Sequence, residues 1–360
     1  MDSVRELLIR QPITVSAPCR VDAGGTWDIK SLALPLERKT PVTVNMALTL
    51  RTTVTLAPWE DGQVSISSKG FTHTETAPWN RLPFDSPFGL FFAAVSYFGF
   101  HGLEIKIDSR SPVKSALGGS STALVALLGA LGELSAIRAE KRLRRKEILH
   151  LAYHLEDGIN GGNCGIQDQA AAVYGGVHLW KWHFGRAHEP LTRIPLLDAA
   201  DQQALSKHIL VAYSGKSHVA AHTNRKWVND FLSGKTRSGW IKANASVRAF
   251  AEAIRLKDWR RAAFFLREEM TLRREMTPEA LDPVTEKMVT AAENAGCGGR
   301  FAGAGAGGSV WALGEIANIH FLKRKWQEML TSIKDAQILD TGVDATGIRR
   351  EGVGSNLAHS

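Results

Sequence analysis

The stretch SPVKSALGGSST at residues 111–122 constrains this chain more than any other. It joins an alternating segment, GLEIKID at 102–108, whose period of two predicts a strand, to an Ala/Leu-rich segment at 119–134 that predicts a helix. Consecutive glycines at the join let backbone approach a ligand closely. The opening turn of the helix presents unpaired N–H groups and the positive end of its dipole. Together these make a phosphate cradle, and Ser120, Ser121 and Thr122 add hydroxyls able to bond phosphate oxygens or a magnesium ion. The same residues also suit an ordinary Ser/Gly helix cap. No lysine follows the glycines, so this is not the G-x-x-x-x-G-K-[ST] loop of P-loop NTPases.

Two more glycine-rich stations flank it. At 298–313, GGRFAGAGAGGSVWAL, residues Gly303, Gly305 and Gly308 satisfy G-x-G-x-x-G. The dinucleotide fingerprint requires strand, turn, then helix, whereas these glycines run into SVWAL, a strand, so a tight strand–loop–strand packed on another loop or ligand fits better. At 17–28, APCRVDAGGTWD, a strand breaks and leaves Arg20, Asp22 and Asp28 close together. That is either a solvated turn or a polar site for hydroxyls with Arg20 as a fixed charge. In the segment 153–176, YHLEDGINGGNCGIQDQAAAVYGG, Glu156 ends a predicted helix (141–156) and Asp168 opens the next, between Gln167 and Gln169. A carboxylate at a helix start complements the dipole. Functionally, Asp168 could orient or deprotonate an acceptor hydroxyl and Glu156 could hold magnesium, which with positioned phosphates is most of what phosphoryl transfer needs.

The remaining pattern is mixed. Strands are predicted at 12–17, 40–56 and 63–67, and a helix at 88–98. After Trp182, helices at 198–205, 218–232, 241–256, 258–271 and 283–295 are separated by short strands at 208–212, 300–302, 309–313 and 337–340. This is no regular βαβα order, so an α+β chain of two lobes dividing near 183–195 is expected, in keeping with 360 residues. The net charge of +8 allows contacts with nucleic acid or membrane but equally suits an enzyme of anionic ligands. The densest basic run, 138–150, carries Leu143, Ile148 and Leu149 at near-helical spacing and no interleaved aromatic, which reads as the solvated face of a helix. Cys19, Cys164 and Cys297 show no CxxC spacing, so neither a disulfide framework nor a zinc site is expected. Residues 1–10 lack the apolar core of a signal peptide, and the apolar stretch 123–134 is too short to span a bilayer. A reduced, cytoplasmic, soluble protein is expected, with no membrane or nucleic-acid partner.

Taken together, the three stations resemble the GHMP kinase superfamily, whose N-terminal substrate motif, P-x-x-x-G-L-G-S-S-A loop and C-terminal glycine motif occur in this order. Residues 164–169, CGIQDQ, look like the C-G-I-M-D-Q of galactokinases. Q-D-Q followed by Tyr174 and two glycines, together with RVDAGGTWD at 20–28, is similar to the heptose-phosphate and fucose kinases. The phosphate loop departs from the family pattern in reading ALGG at 116–119, and the N-terminal motif is one residue short. The resemblance implies a two-lobed GHMP kinase fold: an N-terminal, ribosomal-protein-S5-like mixed lobe over 1–184 and a helix-rich α+β lobe over 185–360. It implies an ATP- and Mg2+-dependent kinase, monomer or homodimer, acting on a sugar or sugar phosphate at the anomeric hydroxyl. It also implies roles. Asp168 would be the base, with Arg20 beside it. Ser115, Leu117, Gly118, Gly119, Ser120, Ser121 and Thr122 would wrap the ATP phosphates. Glu156 with Ser120 or Ser121 would hold magnesium. Asp22, Gly25, Asp28, Gln167, Gly303 and Gly305 would face the substrate. A GHMP kinase for another alcohol, and a silent paralogue that binds ligand without turnover, remain as alternatives. The presence of Asp168 and Glu156 counts against the second.

Overall fold

The computed structural model describes residues 3–25, 27–71, 73–217 and 220–352. Helix α1 (Val4–Arg10) is opened by a capping box in which Ser3 Oγ accepts from the Glu6 N–H (3.2 Å) and Glu6 Oε2 from the Ser3 N–H (2.8 Å). It leads into β1 (Ile13–Asp22), the short α2 (Lys30–Ala33) and β2 (Val42–Pro58), 17 residues rich in Thr and Val. Strands β3 (Gln63–Ser68) and β4 (Glu75–Pro78), helix α3 (Gly89–Phe98) and β5 (Leu103–Ser109) follow. Then come α4 (Gly119–Ile137), α5 (Arg145–Ile159), α6 (Gln167–Tyr174) and the hairpin β6 (Val177–Trp182)–β7 (Leu191–Pro195).

These strands make one sheet because β2 is long enough to serve two sets of neighbours. Its first part pairs with β6 and its last part with β5, while β1 runs antiparallel along it. The β1–β2 register shifts between Pro18 and Arg20. There the Arg20 N–H leaves the ladder and donates to Leu117 O (3.1 Å), so an irregularity in the strand ties β1 to the loop before α4. Helix α4 covers the sheet and is buried almost all round. At 19 residues it is long and apolar enough to cross a membrane, longer than the apolar run in the sequence suggests. Here the sheet, α3, α5 and α6 surround it, so its hydrophobicity is that of a core helix.

The second half contains α7 (Ala199–Leu205), β8 (Ile209–Tyr213), α8 (Ala220–Leu232), α9 (Arg237–Arg255), α10 (Trp259–Met276), α11 (Pro283–Asn294), β9 (Gly298–Phe301), β10 (Ser309–Leu313), α12 (Ile316–Leu330) and β11 (Gln337–Leu339). The expected start of α8 at 218 lies outside the described residues. A second antiparallel sheet, ordered β11-β8-β10-β9, packs against α10, α11 and α12. Gly298 and Gly299 permit that packing. A Cβ on Gly298 would meet the Ala263 carbonyl on α10, and one on Gly299 would meet Ala292 on α11.

Helix α12 and the β6–β7 hairpin are not among the sequence expectations, and two further features differ from them. The basic run is half loop: α5 begins at Arg145 because Glu147 reaches back to the Arg144 N–H (2.9 Å) and also pairs with Lys141. That backbone bond and the neighbouring cations pull the Glu147 carboxyl down to about 2. The first sheet also continues past the expected division at 184. β7 belongs to it, and the chain returns from the second sheet to place β12 (Arg349–Arg350) on β1. This return is anchored by Arg51, which donates to Asp344 Oδ2, Ser16 Oγ (2.8 Å), Ser16 O (2.9 Å) and Gly347 O (2.7 Å). Removing one partner of a buried ion pair strands the other charge. Asp344→Ala is therefore expected to lower the unfolding free energy by about 3 kcal/mol, and Asp344→Asn by less, both read from urea denaturation with m unchanged.

Candidate active site

A cavity of about 500 Å³ lies where β1, the loop before α4, α5, α6 and the glycine loop after β9 converge. Its floor is the start of α4. In the preceding loop Lys114, Ala116 and Gly118 all take positive φ, and no side chain caps the helix. The N–H groups of its first turn are thus left for a ligand. The loop is held from behind by the Arg20 N–H on Leu117 O and the Ser309 N–H on Ser115 O (2.8 Å). Gly308 comes so close to Ser115 and Ala116 that a Cβ would stand 2.7 Å from that of Ala116. The C-terminal glycine motif is therefore the backing of the loop, as a strand–loop–strand.

Asp168 stands in the first turn of α6 beside this floor. Its Oδ1 accepts from Arg20 Nε (2.7 Å), with Arg20 Nη2 also at 2.7 Å, and Arg20 Nη1 donates to Ala116 O (2.7 Å). Arg20 is buried, and Asp168 retains about a quarter of its side-chain exposure (23%) toward the cavity. Burial opposes the guanidinium charge, and Asp168 and then Asp22 raise its pKa again. On the next wall Ser121 Oγ donates to Glu156 Oε1 (3.0 Å) and Gln169 Nε2 to Glu156 Oε2 (2.6 Å). Burial, with the Asp168 charge adding to it, pushes the Glu156 carboxyl up to about 7. A hydroxyl and a carboxylate whose ionised form has no countercharge among the described residues form a hard-oxygen donor set, which fits Mg2+ held by one carboxylate and completed by phosphate oxygens. Asp28 is likewise buried and pushed up to about 7, by burial and then by Asp168; its Oδ2 accepts from the Gln167 N–H (3.2 Å). Asp28 Oδ1 and Gln167 Oε1 have no hydrogen-bond partner among the described residues.

The structure brings most of the expected residues to one cavity: Arg20, Asp28, Ser115, Gly118, Gly119, Ser120, Ser121, Glu156, Gln167, Asp168 and Gly303 all line it. Five do not. Leu117 is buried and offers only its carbonyl, to Arg20. The Thr122 hydroxyl turns back to Gly118 O (2.8 Å). Asp22 faces the second sheet, accepting from Arg300 Nη1 (2.7 Å) and the Gly303 N–H (2.8 Å). Gly25 packs on the Val42 carbonyl and Gly305 on the Ala280 carbonyl, each at positive φ where a Cβ would collide. These glycines are set by close backbone approach rather than by substrate. Of the two candidate metal serines, Ser121 is the one bonded to Glu156, while Ser120 is exposed at the rim. Sequence reasoning missed the apolar end of the cavity, made by Phe71, Phe88, Phe91, Ile107 and Val113, with Phe71 and Phe88 ring centroids 5.4 Å apart. It also missed Asn224 and Arg225 on α8, two polar residues that line the same cavity. The only signal for the aromatics was their density in 71–92.

Residues 89–176, from α3 through the phosphate loop to the end of α6, match the family described as GHMP kinases N terminal domain. That match takes in 88 of the 360 residues. Among curated proteins, a mevalonate kinase of Thermococcus onnurineus (strain NA1) is 30% identical over 97 residues, 27% of each chain. An L-fucokinase/L-fucose-1-P guanylyltransferase of Bacteroides fragilis is 27% identical over 207 residues, 49% of this chain and 21% of that one. The chain thus spans from about a fifth to half of the curated relatives it matches. The crystal structure of a D-glycero-D-manno-heptose 1-phosphate kinase from Bacteriodes thetaiotaomicron superposes with a TM-score of 0.68 at 17% identity, covering 95% of this chain and 100% of that one. The two-lobed α+β GHMP kinase fold therefore extends over nearly the whole chain.

The two loop glycines separate fold from ligand. Gly118 has φ +77°, and a Cβ there would press on Asp168 at 3.0 Å; Gly119 has ordinary φ, with Ser111 Oγ at 3.7 Å as the nearest atom to its Cβ. Gly119→Ala is expected to keep or raise thermal stability, since Ala favours a helix over Gly by about 0.5–1 kcal/mol. It should still weaken Mg-ATP binding about tenfold or more by filling the anion cradle. Titration calorimetry checks this, and unchanged affinity would remove the start of α4 from the nucleotide site.

Proposed function

We propose that this chain transfers the γ-phosphoryl group of ATP to a hydroxyl of a sugar or sugar phosphate, at the anomeric position. The observation that carries the reading is the Asp168–Arg20 pair, set beside an uncapped helix start in a cavity that also holds the Ser121–Glu156 pair. The triphosphate would lie along the first turn of α4, with its base toward Phe71, Phe88 and Phe91. The acceptor would occupy the polar end, near Asp28 and Gln167. Asp168, held in place by the guanidinium bonded to it, accepts the proton of the acceptor hydroxyl or orients it as the acceptor oxygen bonds to the γ-phosphorus. The bond from that phosphorus to the β,γ-bridging oxygen breaks, and ADP leaves. Arg20 stabilises charge on the transferred group. Magnesium held by Glu156 and Ser121 would offset negative charge on the phosphate oxygens.

Two buried acceptors without partners among the described residues, Asp28 Oδ1 and Gln167 Oε1, favour a polyhydroxylated acceptor, because each calls for a donor and a sugar supplies several. Similarity to a fucokinase supports the same choice. Similarity to a mevalonate kinase keeps a non-sugar alcohol as the second reading. An ADP-release assay over free sugars, sugar phosphates and mevalonate-like alcohols discriminates them, and binding of both ligands without ADP release would indicate a silent paralogue. With the substrate in hand, Asp168→Asn is expected to leave folding and ATP affinity nearly intact while lowering kcat by about two to four orders of magnitude. An Asn variant as fast as wild type would reduce Asp168 to a helix-start carboxylate.

A further inference from the structure

Asp22 and Arg300 lie outside the cavity, yet they touch its chemistry from behind. Arg300, on β9, is fully buried, and its Nη1 donates to Asp22 Oδ2 (2.7 Å), to Asp22 O (3.1 Å) and to Phe301 O (2.8 Å). Its Nε donates to Glu269 Oε2 (3.0 Å) on α10. The other oxygen of Asp22 accepts from the Gly303 N–H and stands 3.9 Å from Arg20 Nη1. Gly303, held in this way, lies so close to the active guanidinium that a Cβ on it would stand 3.1 Å from both Arg20 Nη2 and Ala116 O. Asp168, Ala116 O and the Asp22–Gly303 unit therefore surround the Arg20 guanidinium.

We propose that Asp22 and Arg300 are positioning residues for Arg20: the buried pair clamps the glycine loop after β9 against the guanidinium and so fixes the orientation in which Arg20 holds Asp168. The pair draws one member from each sheet, so the same contact makes the alignment of Arg20 depend on the docking of β9 and α10. Arg300 acts through Asp22, and Asp22 acts both through Gly303 and through its own charge. A buried ion pair is not in itself a stabilising device, because desolvation offsets much of its attraction, whereas it does impose a specific geometry on what it bonds. This inference rests on the kinase reading above.

The test is a double-mutant cycle on kcat per nucleotide-binding site, with sites counted by calorimetric stoichiometry so that misfolded molecules do not enter. Asp22→Asn is expected to lower kcat about ten- to a hundredfold, with KM for both substrates within about threefold. In an Arg20→Lys background, where the fork that Asp22 aligns is gone, the same change should cost less than about threefold. Arg300→Lys, which keeps the charge and loses the fork, should behave like a milder Asp22→Asn, and it carries the test if the Asn variant does not fold. Arg273→Met removes another buried cation of this region, one stacked on Trp227 and Trp240, and should lower Tm without lowering kcat per site. Unchanged kcat per site in Asp22→Asn, or losses that simply multiply with Arg20→Lys, would overturn the proposal. A wild-type protein that releases no ADP with any acceptor would instead overturn the kinase reading itself.

Discussion

A guanidinium buried at the meeting point of two sheets is costly unless every side of it is answered, and Arg20 is the group around which this structure is arranged. Desolvation opposes its charge, and Asp168 is the largest compensating influence. Each contact comes from a different element. Asp168 stands on α6, the Ala116 carbonyl in the loop before α4, and Asp22 next to the glycine loop after β9. A carboxylate held by a fork of this kind has a fixed orientation as well as a charge. Orientation is what a phosphoryl acceptor requires, since the protein contributes little covalent chemistry to such a reaction.

The glycine-rich stations serve this arrangement in different ways. Gly118 takes a left-handed backbone and leaves room for Asp168, while Gly119 leaves open space above the helix start. Gly303 admits Arg20, and Gly308 admits the loop that carries Ser115. Gly25 admits the Val42 carbonyl and the edge of Trp27, and Gly305 admits the Ala280 carbonyl and the edge of Phe301. Motifs that look alike in sequence thus divide into ligand-facing and packing-facing positions, and the division is made by what a Cβ would strike.

Much of this was legible in the sequence. Period-two and apolar helical patterns gave β2, β5, α4 and α7 to α11 to within about five residues, because burial on one face leaves a strong periodic trace, but they did not give α12. The order of the three stations pointed to the family, and Arg20, Glu156 and Asp168 do meet in one cavity. Less legible were features whose cause is tertiary. Asp22 reads as a substrate ligand until Arg300, 278 residues later, is seen to take its carboxylate. The return of β12 to β1 depends on Arg51 and Asp344, which no local pattern connects. The aromatic end of the cavity gathers Phe71 from a loop, Phe88 and Phe91 from around the start of α3 and Val113 from another loop. Such a wall has no periodicity to read.

The central claim is that one cavity holds the triphosphate on the first turn of α4 and the acceptor hydroxyl on Asp168. A crystal structure with magnesium, a non-hydrolysable ATP analogue and the acceptor found by ADP release tests it most directly. The account predicts the terminal phosphorus between the N–H groups of Gly119 to Ser121 and the acceptor oxygen, with that oxygen within hydrogen-bonding reach of Asp168. It also predicts the metal against Glu156 and Ser121. A nucleotide seated elsewhere, or a terminal phosphate turned away from Asp168, would contradict it.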